Sequence, residues 1–384
     1  MFTKSIVFEN FKKKKIDSRV KENLKKVLKD KNEVIRSLKS SYKNSYSKQI
    51  LNKYKKYRNI NVIGMGGSIL GSRAIYNFLE KNIKKNFSFI DNLKVKITEK
   101  SKKKRLNLII SKSGNTLETL SNTNILIKRN DKNLFITENK NSYLMQLAKK
   151  LKSDIVHHND YIGGRYSVLS EVGMLPAELM GFKQNKFKRF NNLVKNKGFL
   201  NSLVSNVSNT VNLIKQKKLN SIILNYDERS CDLFNWYQQL IAESLGKKNK
   251  GILPVVSLLP KDNHSLMQLY LDGFKNNFFT FFFVKDGKTN KINNSSIFTS
   301  HSYLKGKSLN DILEAQYYAT KNIFKKKNIP FRSFYINKRN EETLGELFTF
   351  FILETILLGM AMKVDPFNQP AVELIKVETK KNLI

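Results

Sequence analysis

The chain predicts an α/β fold in which two domains each carry a mostly parallel sheet flanked by helices. Three observations predict it. From residue 59 onward, short apolar runs alternate with amphipathic helical stretches, the pattern of parallel strands joined by crossover helices. Two of those runs end in loops of glycine and hydroxyl residues that pass straight into a helix. And 384 residues with 40% hydrophobic content exceed one ordinary core, which divides the chain in two.

Residues 1–58 are polar and Lys-rich. Val20, Leu24, Val27, Leu28, Ile35 and Leu38 recur weakly at helical spacing, so this segment is expected to be a helical extension packed on a domain. Residues 59–181 form the first domain. Ile60–Ile63 is its first strand, followed by the loop Gly64-Met65-Gly66-Gly67-Ser68 and a helix through Leu70, Ala74, Ile75, Phe78 and Leu79. Strand, glycine loop, helix is an order that cradles anions, because backbone amides can approach and the helix N-terminus adds its dipole. The nucleotide P-loop spacing is absent, and the third glycine is misplaced for a dinucleotide fingerprint.

A second such unit follows. Leu106–Ile110 is apolar, then come Ser111-Lys112-Ser113-Gly114-Asn115-Thr116 and a helix from about Glu118. An ordinary helix cap needs one hydroxyl. This loop offers Ser111, Ser113 and Thr116 together with Lys112, which favours a phosphate. Leu134–Thr137 is a further strand. Gly163-Gly164 then precedes Arg165, a guanidinium that either reaches into a site or pairs at the surface.

Residues 182–219 read as a basic helical linker. Residues 220–363 form the second domain, with strands at Ser221–Tyr226, Leu253–Leu258, Phe278–Val284 and within Pro330–Ile336. Its helices run from Leu233, over Leu309–Lys321 and over Thr343–Met362. In residues 364–384, Pro366 and Pro370 pin a turn ahead of a helix that carries Lys376.

Composition narrows the function classes. One cysteine, Cys231, excludes an internal disulfide framework and fits a reducing cytoplasm, with the thiol expected to be buried and inert. Four histidines and that cysteine do not make an ordinary zinc cluster, so no metal is expected. No run of 18 apolar residues suggests a membrane span, and Met1–Asn10 lacks the apolar core of a signal peptide. The net charge of +39 raises nucleic acid as a partner. Lys far outnumbers Arg, however, and is spread over the whole length with no known reading module. The excess therefore reads as solvated bias, and no nucleic-acid partner is expected. Such a field still draws in anionic substrates.

The stretch Leu233–Gln268 ties these units together. Leu233, Trp236, Leu240 and Ile241 make an amphipathic helix that ends at Gly246, with Glu243 in its last turn. His264 lies beyond the polar turn Lys261-Asp262-Asn263. A carboxylate and an imidazole are the commonest general acid/base groups, although either one alone is more often solvated or structural.

Five segments together resemble the glucose-6-phosphate isomerase family. They are GMGGS at Gly64–Ser68, SKSGNTLET at Ser111–Thr119, GGRYSVLSEVGMLP at Gly163–Pro176, QLIAESLGK at Gln239–Lys247 and NQPAVELIK at Asn368–Lys376. Their order and spacing match over nearly all of residues 60–378. The resemblance implies two sugar-isomerase (SIS-type) domains. It implies Glu243 as the base that moves a proton between C1 and C2. His264 would open the sugar ring with Lys376 as its helper, and Arg165 would face the enediolate. Ser111, Lys112, Ser113 and Thr116 would hold the phosphate, and Gly66, Gly67, Ser68, Gln239 and Gln369 would contact substrate. Two departures stand out. The segment around His264 lacks the family's glycines, and Ile375 replaces a small residue beside Lys376.

The implied reaction is aldose–ketose exchange between D-glucose 6-phosphate and D-fructose 6-phosphate through a cis-enediolate, without a cofactor, in glycolysis and gluconeogenesis. The resemblance also implies a cytoplasmic homodimer with His264 contributed across the interface. Two alternatives stay open: an isomerase that also accepts mannose 6-phosphate, and a non-catalytic sugar-phosphate sensor on the same fold. Retention of Glu243, His264, Lys376 and Arg165 together weighs against the sensor.

Overall fold

The computed structural model describes residues 2–12, 16–93, 105–128, 131–285, 287 and 289–384. Among the described residues, two five-stranded sheets organise the chain. The strands are β1 (Ile6–Glu9), β2 (Asn59–Gly64), β3 (Asn86–Ile90), β4 (Arg105–Ile110), β5 (Lys132–Thr137), β6 (Asp154–His157), β7 (Asn220–Asn225), β8 (Leu253–Leu258), β9 (Asn277–Val284) and β10 (Phe331–Ile336). The first sheet has the order β3-β2-β4-β5-β6 and is parallel throughout. The second has the order β1-β10-β9-β7-β8, parallel except for β1.

Strand order decides where a site can form. In the first sheet the chain runs outward from β2 to β3, then crosses back to β4 on the other side of β2. The loops after β2 and β4 therefore diverge and leave a crevice at the strand C-termini, the usual ligand position in such sheets. Those loops are Gly64–Ser68 and Ser111–Thr116.

Packing follows the periodicity of the sequence. β9, NFFTFFFV, is buried along its entire length, as a central parallel strand should be. Its alternate residues serve different cores. Phe278, Phe282 and Val284 join the large core shared by both sheets, while Phe279, Phe281 and Phe283 join an aromatic cluster with Tyr226, Tyr317 and Phe324. The Glu341–Met362 helix is long and apolar enough to cross a membrane, yet 89% of its apolar window is buried inside the protein. It packs on the Cys231–Leu245, Lys197–Lys215 and Ser18–Lys29 helices, which makes it a core helix.

One departure from the sequence expectations bears on topology. The N-terminal segment is not wholly helical, because Ile6–Glu9 pairs antiparallel with β10 and extends the second sheet. Residues 182–219 form three helices, Gln184–Phe187, Phe190–Leu193 and Lys197–Lys215. Asn196 starts the last of these by accepting a bond from the Phe199 amide, a cap that restarts the helix.

Candidate active site

The first crevice is shaped by glycine. Gly67 lies so close to the turn at Gly164 that a Cβ on it would sit 2.1 Å from the Gly164 carbonyl carbon and 2.4 Å from the Arg165 nitrogen. Only a residue without a side chain permits this approach. Gly66 has φ +54, and a Cβ there would meet the Gln239 amide nitrogen at 2.8 Å. The Gly66–Ser68 turn thus touches both the arginine turn and the Cys231–Leu245 helix, just ahead of the Leu70–Leu79 helix.

Arg165 stands at the centre. It sits near the start of a 3₁₀ turn, Gly164–Leu169, and is 1% exposed. Its Nε donates to Ser244 Oγ at 2.7 Å, and its Nη2 donates to the carbonyls of Pro366 at 2.7 Å and Asn368 at 3.1 Å. Nη1 donates to Gln369 Oε1 and lies 3.2 Å from Glu243 Oε1. Trp236 Nε1 donates to the Arg165 carbonyl at 3.1 Å. A guanidinium with its donors so occupied is held in one orientation. The alternative of an exposed surface pair is thereby excluded.

Glu243 occupies the last turn of the Cys231–Leu245 helix with its side chain only 18% exposed. It is not an ordinary solvated glutamate. Beside it, Gln239 Oε1 is a buried acceptor with no partner among the described residues. Such an atom costs about 1–3 kcal/mol unless a donor arrives.

The second loop lies next door. Gly64 and Ile110 are register partners at the ends of β2 and β4, which brings the glycine turn beside Ser111. Ser111 and Thr116 hydroxyls share a hydrogen bond of 2.9 Å. Thr116 precedes the Leu117–Leu126 helix without capping it by its side chain. Ser113 Oγ accepts from the Asn115 amide at 3.3 Å and is exposed. Gly114, at φ +65, lets the loop close on Ser142, where a Cβ would meet Oγ at 2.1 Å. Lys112 donates to the Asp160 carbonyl at 2.7 Å and lies 3.3 Å from Glu138.

Two expected residues are not gathered here. His264 is exposed on a 3₁₀ turn, Lys261–His264, just beyond the edge strand β8. Lys376 donates to Glu373 at 2.9 Å on the Val372–Asn382 helix, none of whose residues is buried. Cys231 is half-buried rather than buried. Its thiol is pushed up to about 11 by burial and by Asp227, Asp232 and Glu228.

Two neighbours escaped the sequence reading. Ser244 accepts from Arg165, and Tyr166 bonds both Ser244 Oγ at 2.9 Å and the Pro366 carbonyl at 3.0 Å. Burial pushes the Tyr166 phenol up to about 12, so it remains a donor. Their only signal was position, each next to a residue already singled out.

Residues 6–255 match the family model of phosphoglucose isomerase. The chain is 34% identical over 352 residues to the glucose-6-phosphate isomerase of Methanocaldococcus jannaschii, covering 84% of each chain. A hypothetical protein of Thermus thermophilus superposes with a TM-score of 0.81 at 24% identity, covering 95% of both chains. A glucose-6-phosphate isomerase of Chlamydia trachomatis superposes with a TM-score of 0.68 at 17% identity, over 95% of this chain and 74% of that one. A match over more than half of the chain, with a relative similar along most of its length, places this protein in the phosphoglucose isomerase family.

Proposed function

We propose that the chain interconverts D-glucose 6-phosphate and D-fructose 6-phosphate. The observation that carries this reading is the 3.2 Å pairing of Arg165 with Glu243 beside the glycine turn. A base and a fixed cation side by side suit proton abstraction next to a carbonyl, where negative charge develops on oxygen.

In this reading the two sheets belong to two sugar-isomerase domains, residues 59–181 and 220–363. Ser111, Lys112, Ser113 and Thr116 take the phosphate, remote from the reacting carbons, so its binding energy orients the sugar. His264, helped by Lys376, opens the ring. Glu243 takes the C2 proton and returns it to C1 on one face of a planar cis-enediolate. Arg165 stabilises the enediolate oxygens, and Ser68, Gln239 and Gln369 hold sugar hydroxyls. Every step is proton transfer, so no cofactor enters.

The site is completed in a homodimer, with His264 supplied by the partner. Exposure of His264 and of the Lys376 helix supports this, since both lie at the surface where a second chain can meet them. The reaction belongs to central sugar metabolism in the cytoplasm. A coupled assay of purified protein with fructose 6-phosphate, then with mannose 6-phosphate, tests the reading. Turnover of the first alone is expected, turnover of both widens the specificity, and turnover of neither overturns the function.

A further inference from the structure

Beneath the arginine turn lies a cluster of buried polar groups that the proposed reaction does not use. His158 precedes the turn, Glu171 follows it, and Lys188 approaches from the next segment. They are 3%, 0% and 6% exposed. His158 Nδ1 bonds Glu171 Oε1 at 2.6 Å, and its Nε2 donates to the Ile162 carbonyl at 3.0 Å. The same Glu171 oxygen accepts from the Asn159 amide at 2.9 Å, and Oε2 accepts from the Tyr42 hydroxyl at 3.2 Å. Lys188 donates to the carbonyls of Leu169 and Ser37 and lies 4.8 Å from the centre of the Tyr42 ring.

Burying titratable groups in this way is expensive, and apolar side chains would fill the space at less cost. What the polar groups provide is geometry. His158 fixes the chain entering Gly163, and Lys188 fixes Leu169, where the turn ends. Glu171 joins the two flanks through His158 and Asn159. Each ring nitrogen of His158 already has a partner, so the ring cannot tilt without losing a bond. Between these anchors the backbone must present Arg165 against Gly67 and Trp236.

We propose that His158, Glu171, Lys188 and the half-buried Tyr42 are positioning residues for Arg165, a clamp that sets the angle at which its guanidinium meets the enediolate. The inference rests on the isomerase reading above. If the clamp acts through Arg165, removing it costs nothing once the guanidinium is gone; if it merely stabilises the fold, its loss is felt in either background.

The experiment is a double-mutant cycle on the full-length protein, reading kcat for fructose 6-phosphate. Glu171→Gln keeps the shape of the side chain and removes its charge. It should lower kcat about tenfold in the otherwise native chain and less than about twofold in the Arg165→Ala chain. Tyr42→Phe, which deletes a single hydroxyl, runs through the same cycle and should cost about threefold, so the test stands even if Glu171→Gln fails to fold. An unchanged kcat in the native background, or the same loss in both backgrounds, overturns the clamp. An undiminished kcat in Arg165→Ala alone instead overturns the role given to Arg165, and the clamp with it.

Discussion

Arg165 Nη1 and Glu243 Oε1 lie 3.2 Å apart, although one belongs to a turn after the first sheet and the other to the end of a helix from the second. The contact marks where the proposed chemistry takes place. Arg165→Ala should lower kcat by about 10²–10³ with a smaller change in KM, because the guanidinium meets charge that develops only in the transition state. Arg165→Lys should not restore activity, since one ammonium cannot replace a fork that engages Ser244, Gln369, Pro366 and Asn368. Steady-state kinetics that show a loss confined to KM would contradict this.

Gly67→Ala places a methyl 2.1 Å from the Gly164 carbonyl carbon, where nothing can yield except backbone. The variant should be destabilised by about 1–3 kcal/mol and should lose activity as the arginine turn is displaced. Thermal unfolding and kcat together test it, and a variant with native Tm and native kcat would mean the two loops do not need their close approach.

For the phosphate loop the expectation is different in kind. Thr116 spends its hydroxyl on Ser111 rather than on capping the following helix. Ser113→Ala combined with Thr116→Ala should raise KM about tenfold while kcat holds, the effect of two lost hydrogen bonds to a remote group. Inorganic phosphate should compete with substrate in the native protein. An unaltered KM in the double variant moves the phosphate elsewhere.

Lys188 gives a pH dependence. Burial, only partly offset by Glu171, pushes its amine from the ordinary 10.5 down to about 7. Between those values the unfolded chain binds the proton that the folded chain has released, so stability rises as pH rises across that window. Lys188→Met lacks this term. The Tm difference, native minus variant, should therefore grow between about pH 7 and about pH 9.5. A difference that stays constant over that range would show that the amine is not held neutral by burial.

His264 and Lys376 lead to a test of subunit sharing. A Glu243→Gln chain and a His264→Ala chain, unfolded and refolded together, should regain roughly a quarter of native activity, because about half the dimers are mixed and each has one intact site. Mixed dimers shown by mass, yet without activity, would leave each subunit self-contained.

Much of this was legible in the sequence, and the failures have physical reasons. The glycine and hydroxyl loops stand out because few side chains tolerate φ +54 or φ +65, so their sequence reports their backbone. β1 was missed because Ile6–Glu9 is four residues long and finds its partner, β10, only near the other end of the chain. Glu171 and Lys188 were not singled out, since nothing local reveals that tertiary packing buries them beneath the arginine turn. Ser244 and Tyr166 are small parts of a polar network that exists only after Pro366 folds back over Arg165. The exposed Lys376 helix lies where the sequence put it.

The most direct test of the account is the fate of the substrate's C2 hydrogen. Native protein and Glu243→Gln are each incubated with glucose 6-phosphate in deuterated water, and loss of the C2 proton signal is followed by NMR. The native protein should exchange that hydrogen at a rate comparable to turnover. Glu243→Gln should retain substrate binding while exchange falls by several orders of magnitude. Exchange at the native rate in Glu243→Gln would remove this carboxylate from the proton transfer and contradict the mechanism at its centre.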